Sequence, residues 1–227
     1  MISYFPLGDS AIQLTFGDSI NEETNRKIYA YMRILKEFEI PGIIELVPSY
    51  TKLIVHYNPL EIGIHELVDK LKELEQQGIT PAESEMKIVE IPVLYGPTFG
   101  SDLEVVLQHT GLTEEELITQ HSAPIYKVYM LGFTPGFCYL GGMPALLATP
   151  RKKTPSAKIR AGSVGIAGEQ TGVYPIESPG GWQIIGRTPL KLFNPEREQP
   201  FLVEAGNSIR FYPISQTEFD QLNEYDA

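Results

Sequence analysis

Apolar positions recur along the chain with two different periods, and the changes of period mark its elements. ISYF and AIQLTF are short β-like runs on either side of PLGDS, where Gly8 and Asp9 suit a turn, so two adjacent strands are expected. The spacing then lengthens. Ile28, Tyr31, Met32, Leu35 and Phe38 fall on one helical face, with Asn21 placed to cap it, Glu22 and Glu23 at its positive end, and Pro41 and Gly42 as its stop. GIIELVPS and TKLIVHYN read as two more strands. A second helix is expected from about Leu60 to Gln77, with Ile64, Leu67, Val68, Leu71 and Leu74 on one face, Pro59 in its first turn and Gly78 just past its end. The order ββαββα predicts an α+β sandwich with helices on one face of an antiparallel sheet.

The segment GITPAESEM breaks this pattern and reads as a linker. It divides the chain into an N-terminal α+β domain at 1–80, a linker at 81–86 and a C-terminal domain at 87–227. There MKIVEIPV predicts a strand, Ser101–Thr110 a short helix ended by Gly111, and Thr113–His121 a helix opened by the capping box of Thr113 and Glu116. From Pro124 onward, β-like pieces alternate with Gly/Pro turns: IYKVYML, SVGIAG, GWQIIG, LKLF and FLVEAGNSIRFYPI. This pattern predicts a β-barrel or sandwich. Ser215 and Glu218 open a C-terminal helix by the same capping logic.

Charge and composition narrow the function classes. The 227 residues carry a formal net charge of −11, which argues against general affinity for nucleic acid or anionic membranes. Cys138 is the single cysteine, so no intramolecular disulfide and no cysteine-rich metal site can form. The opening MISYFPLGDS lacks a secretory pattern, and no apolar run approaches the roughly 18 residues of a membrane span, so a cytoplasmic protein is expected.

Eleven of the twenty glycines and the only tryptophan fall between Met130 and Leu190. Gly132 to Pro150 carries no charged side chain and presents Phe133, Phe137, Tyr139, Leu140 and Met143, a candidate partner-docking surface whose bland alternative is a set of aromatic anchors for a loop. Arg151, Lys152, Lys153, Lys158 and Arg160 then place five of the eighteen basic residues within ten positions, a local reversal that suits an anionic ligand. Lys152 and Lys153 read more simply as solvated loop charges. Glu169, Gln170, Tyr174, Glu177, Ser178, Trp182, Gln183 and Arg187 punctuate the Gly/Pro-rich core, where rigid turns can aim polar groups at a substrate or use them to cap turns. No phosphate loop, nucleophile elbow or H-E-x-x-H pair is present, and no metal site is expected. Cys138 reads as a small packed hydrophobe. A complete active site within this chain is not evident.

The strings YFPLGDSAIQLTFG, LGFTPGFCYLGGMP and TPSAKIRAGSVGIAGEQTGVYPIESPGGWQIIGRTPL closely resemble the KipI family, also known as the B subunits of 5-oxoprolinase or as allophanate hydrolase subunit 1, and the resemblance covers essentially the whole chain. It implies a C-terminal cyclophilin-like β-barrel behind the N-terminal α+β domain. It also implies a cytoplasmic protein that, with a homologous KipA-like C component and a LamB/YcsF-like A component, opens 5-oxo-L-proline to L-glutamate at the expense of ATP. ATP, with Mg2+, would then bind at the interface with a partner. On this reading Arg187, Glu169 and Gln170 are the catalytic candidates, and Arg160, Tyr174, Ser178, Gly180, Gly181, Trp182 and Gln183 the substrate or nucleotide contacts. The family's second role is different in kind: inhibition of a sensor histidine kinase in sporulation control, for which the apolar segment from Phe133 to Met143 would be the docking face. A prolyl isomerase reading has less behind it, because a fold does not carry an activity.

Overall fold

A computed structural model describes residues 2–78 and 87–225, so the linker expected at 81–86 lies outside the described residues. The chain divides into two compact units, Met1–Glu85 and Met86–Ala227, each with its own apolar core.

In the first unit, β1 (Ser3–Pro6), β2 (Ala11–Thr15), β3 (Ile43–Pro48) and β4 (Lys52–Tyr57) form an antiparallel sheet in the order β1-β2-β4-β3. Alternation turns Ile12, Leu14, Leu53 and Val55 to one face, and the register sets Ile12 opposite Val55 and Leu14 opposite Leu53. They share one buried cluster with Ile28, Tyr31 and Leu35 of α1 (Glu22–Phe38) and with Leu67 and Leu71 of α2 (Ile64–Gln76). Each such side chain contributes roughly 1.5–3 kcal/mol by leaving water. The Tyr31 hydroxyl donates to the Leu71 carbonyl and ties the two helices together. The expected ββαββα order is therefore present, and Asn21 caps α1 by accepting from the Thr24 N–H at 2.8 Å.

Two helix ends differ from expectation. The first helix stops at Phe38, because Glu39 takes the left-handed conformation at φ 42° before Pro41 and Gly42 are reached. The second starts at Ile64, not near Leu60. Asn58 closes a turn there: its side chain accepts from the Leu60 N–H at 3.1 Å and its carbonyl accepts from Glu61 and Ile62, which holds Pro59 and Leu60 outside the helix.

The second unit is built on seven strands in the order β10-β9-β12-β5-β13-β6-β7. They are β5 (Ile88–Tyr95), β6 (Tyr126–Leu131), β7 (Cys138–Gly141), β9 (Ser163–Ala167), β10 (Gln170–Val173), β12 (Gln183–Arg187) and β13 (Ser208–Pro213). A separate ribbon pairs β8 (Ser156–Ile159) with β11 (Ser178–Gly180). Within the large sheet β5 and β13 run parallel and the other pairs are antiparallel. The sheet curls until its two end strands meet: a Cβ on Gly172 of β10 would fall 2.8 Å from the Cys138 carbonyl oxygen of β7, so glycine is what lets the seam close. Ile91, Val93, Val128, Val164, Ile166, Ile185 and Phe211 fill the interior. The α+β class with a C-terminal barrel thus holds.

Helices α3 (Leu103–Thr110), α4 (Glu114–Ser122) and α5 (Gln216–Tyr225) sit where the chain pattern placed them. Gly111 ends α3 at φ 73°, and both capping boxes form, Thr113 with Glu116 and Ser215 with Glu218. LKLF is a correction, since it forms no strand and contributes a single bridge between Phe193 and Phe201. The sequence FLVEAGNSIRFYPI yields a strand only over Ser208–Pro213. Leu192 and Val203 are buried, so the apolar residues of these runs anchor a proline-interrupted loop to the core.

Candidate functional site

The glycine-rich stretch resolves into an aromatic cluster, a hairpin tip and a basic depression. The cluster joins Phe137, Ile159, Ala167, Tyr174, Trp182 and Ile184, with Tyr139 half-buried beside them. Phe137 is its hub, with ring centroids 5.0 Å from Tyr139, 5.4 Å from Tyr174 and 5.3 Å from Trp182, all edge-on. Burial raises the Tyr174 phenol above its usual range, while the Trp182 backbone N–H and the nearby Arg151 charge oppose that rise. A Cβ on Gly180 would fall 2.3 Å from the Tyr174 hydroxyl oxygen, so this glycine serves close packing. Gln183 donates to the Pro150 carbonyl at 3.0 Å, and the buried Ser178 hydroxyl has no hydrogen-bond partner among the described residues. Gly181 flanks Trp182, and its carbonyl accepts from the Lys152 N–H at 2.7 Å.

This packing corrects the docking surface. Phe137 and Leu140 are 2% and 1% exposed, because Phe137 enters the aromatic cluster and β7 alternation turns Leu140 into the barrel. Tyr139 and Met143 are half-buried, whereas Phe133 is open to solvent on a left-handed backbone at φ 66°. Lys152 is a second correction. It is no solvated loop charge: its Nζ lies 2.6 Å from Asp102 Oδ2, with both side chains mostly buried, and donates to Ser156 Oγ at 3.0 Å. Asp102 Oδ2 also accepts from the Ile184 N–H at 2.8 Å, so one carboxylate joins the start of α3, strand β12 and the basic loop.

The three catalytic candidates are not gathered in one place. Arg187 stands opposite Ser163 at one end of β9, while Gln170 stands opposite Ala167 at the other, with Glu169 exposed at the hairpin tip. Four residues of strand separate the two ends by about 13 Å.

Arg187 belongs instead to a depression of ≈ 750 Å³ lined by Lys158, Arg160, Ala161, Glu177 and Arg187. Its walls follow from strand alternation. Ile159 and Ser178 pair across the β8–β11 ribbon and point inward, which leaves Lys158, Arg160 and Glu177 on the opposite face. Arg187 arrives from the end of β12 and donates from Nε to the Ala161 carbonyl at 2.8 Å. Its guanidinium lies over the Phe99 ring at 5.3 Å and the Phe219 ring at 5.9 Å. Gly162, at φ 82°, lets the backbone pass this point, for a Cβ there would fall 2.3 Å from the Thr188 carbonyl oxygen. Burial, and after it the Arg160 charge, lowers the Arg187 pKa from its ordinary value. Lys158 pairs with Glu177 at 3.0 Å, and among the described residues no carboxylate lies within ion-pair distance of Arg160 or Arg187.

Phe99 and Phe219 escaped the sequence reading, since nothing local in the chain connects them with Arg187. Conventional reactive groups are sealed away. Cys138 is buried and its thiol is pushed up to about 12 by burial, in keeping with a packed hydrophobe. His121 is enclosed in the barrel, with Nδ1 2.8 Å from the Tyr95 hydroxyl and Nε2 2.8 Å from Thr171 Oγ1. Because Thr171 donates its own proton to the Gly165 carbonyl, it accepts from Nε2–H, and Tyr95 donates to a neutral Nδ1. No helix among the described residues is long and apolar enough to cross a membrane.

Residues 2–203 match the family described as "Carboxyltransferase domain, subdomain C and D". The chain belongs to that family, and within it to the B subunits of 5-oxoprolinase, the KipI family. It is 46% identical to the 5-oxoprolinase B subunit of Bacillus subtilis (strain 168), with 96% of this chain and 95% of that protein covered. It is 38% identical to the protein of the same name from Escherichia coli O157:H7, over 91% of this chain and 94% of that one. Among solved structures, TTHA0988 superposes with a TM-score of 0.80 at 36% identity, covering 95% of this chain; the chain spans 40% of that protein's length.

Proposed function

We infer that this chain is the B subunit of an ATP-dependent 5-oxoprolinase, working with a KipA-like C component and a LamB/YcsF-like A component to convert 5-oxo-L-proline to L-glutamate in the cytoplasm. One observation carries this reading: 46% identity, over nearly the full length of both chains, to a protein named as the B subunit of 5-oxoprolinase. The inventory of side chains supports a shared site. His121 and Cys138 are buried, and Glu169 and Arg187 stand at opposite ends of β9, an arrangement that fits a site completed by groups from another chain.

The chemistry is that of activating a poor electrophile. Transfer of the terminal phosphoryl group of ATP to the lactam oxygen releases ADP and makes the ring carbon electrophilic. Water adds to that carbon, the C–N bond breaks toward the nitrogen, and the resulting acyl phosphate takes a second water to give glutamate and phosphate. Guanidinium groups suit the charge on the transferring phosphoryl oxygens, and Mg2+ would enter with the nucleotide. The kinase-inhibitor reading has less support here, because burial of Phe137 and Leu140 leaves only Phe133, Tyr139 and Met143 of its docking face accessible.

Reconstitution tests the proposal. The purified chain mixed with its A and C components, ATP and 5-oxoproline should release glutamate and phosphate, with no release when this chain is omitted. Absence of glutamate from the complete mixture would refute it.

A further inference from the structure

We propose that the depression between β8, β11 and the end of β12 is a binding site for a phosphoryl dianion, with Arg160 and Arg187 as its fork and Lys158 as a reserve cation. The inference deepens the enzyme reading and rests on it for biological role, whereas the binding itself needs this chain alone. Three observations carry it. The depression holds three cations and one carboxylate, an excess of two positive charges in a chain of net charge −11. That excess matches a dianion better than a single carboxylate.

The two guanidiniums line the same depression, where the charge of one acts on the other, and no carboxylate of the described residues lies within ion-pair distance of either. Like charges placed together without a counter-ion are favourable when an anion completes the set. Finally, Arg187 is fixed. Its Nε is bound to the Ala161 carbonyl and its plane rests over Phe99 and Phe219, and among the described residues its terminal nitrogens have no hydrogen-bond partner. A guanidinium held by one edge presents the other to a ligand, and two such edges fit the oxygens of a tetrahedral phosphoryl group.

Glu177 sharpens the proposal. It occupies Lys158 at 3.0 Å on the exposed rim, so it competes with an incoming anion for that ammonium group. Removing its charge should strengthen binding, which no merely structural role of the pair predicts.

The test is calorimetric titration of the intact chain with inorganic phosphate and pyrophosphate at low salt, with acetate as the carboxylate arm. Phosphate or pyrophosphate should bind saturably with one site per chain, more tightly than acetate, and more weakly as salt rises. Arg160→Gln and Arg187→Gln should each weaken binding about tenfold or more. Glu177→Gln should tighten it about threefold, and Arg26→Gln, on α1 of the other unit, should change it less than about twofold. Arg187→Lys, which keeps the charge and loses the fork, covers the case in which Arg187→Gln fails to fold. No saturable binding, equal affinity for acetate, retained affinity in both arginine variants, or weaker binding in Glu177→Gln would each overturn the proposal. Saturable binding without glutamate release from the three-component mixture leaves this site standing and removes the enzyme reading. Glutamate release from a chain that binds no phosphate does the reverse.

Discussion

His121 and Arg187 are both nitrogen-rich side chains set among aromatic rings in the same unit, yet they end in opposite states. His121 stacks on Phe211 at 4.7 Å, both its ring nitrogens are partnered, and burial drives its pKa down to about 3. Arg187 lies over Phe99 and Phe219 with one partnered nitrogen and is half-exposed at the edge of a basic depression. Aromatic neighbours therefore do not separate a structural nitrogen base from a functional one. What separates them is how many polar atoms the fold has already satisfied: a fully partnered ring holds the barrel together, and a half-partnered guanidinium has bonding capacity left for a ligand.

Acidification should break this comparison most strongly. The folded-state pKa of His121, about 3, lies below its unfolded value near 6.5, so the neutral ring's contribution to stability is complete above pH 6.5 and is lost as pH falls toward 3. Between pH 7 and pH 4 it should amount to about 3 kcal/mol. Urea unfolding at both values should show wild type losing that much more than His121→Leu, and parallel losses would mean that His121 is charged or hydrated in the folded barrel. A smaller effect is expected under Arg187. Phe219→Leu keeps most of the buried volume but removes one ring face, and should cost about 1 kcal/mol of stability while lowering turnover of the reconstituted enzyme. Unchanged turnover would make that ring packing alone. The smallest effect belongs to Arg160→Gln, which should leave the unfolding free energy within about 0.5 kcal/mol of wild type, because its side chain is exposed and has no hydrogen-bond or ion-pair partner among the described residues. A marked loss would place Arg160 in the structural class with His121.

Local physics made much of the fold legible. Asn21, the two capping boxes, the apolar faces of α1 and α2 and the left-handed Gly111 each depend on residues within a turn of one another. Strands β7, β8, β10 and β11 escaped notice because each has three or four residues, and all but β8 contain glycine. Pairing with another strand, β7 on β6, β10 on β9 and β11 on β8, rather than propensity, makes them strands. The site was legible to the same depth. Arg160 stood out as a substrate or nucleotide contact and Arg187 as a catalytic candidate, but the separation of Arg187 from Glu169 follows from the register of β9 with its two neighbours, which no spacing along the chain reveals. Lys152 was misread for a related reason: its partner Asp102 lies fifty positions earlier, beyond any helical or strand period. Phe137 and Leu140 looked like a surface because an uncharged, glycine-rich run gives no sign of which side chains the barrel takes in.

The aromatic shelf under Arg187 has a thermodynamic consequence. Since Phe99, Phe219 and the Ala161 carbonyl fix the guanidinium when the chain folds, its repulsion from Arg160 is built into the native state before any ligand arrives. A dianion entering the depression relieves that repulsion without having to order a loop, and whatever binds only the native state raises its melting temperature. The unit should therefore act as its own thermometer for phosphate, melting higher as the anion concentration climbs and losing that response when either arginine is neutralised.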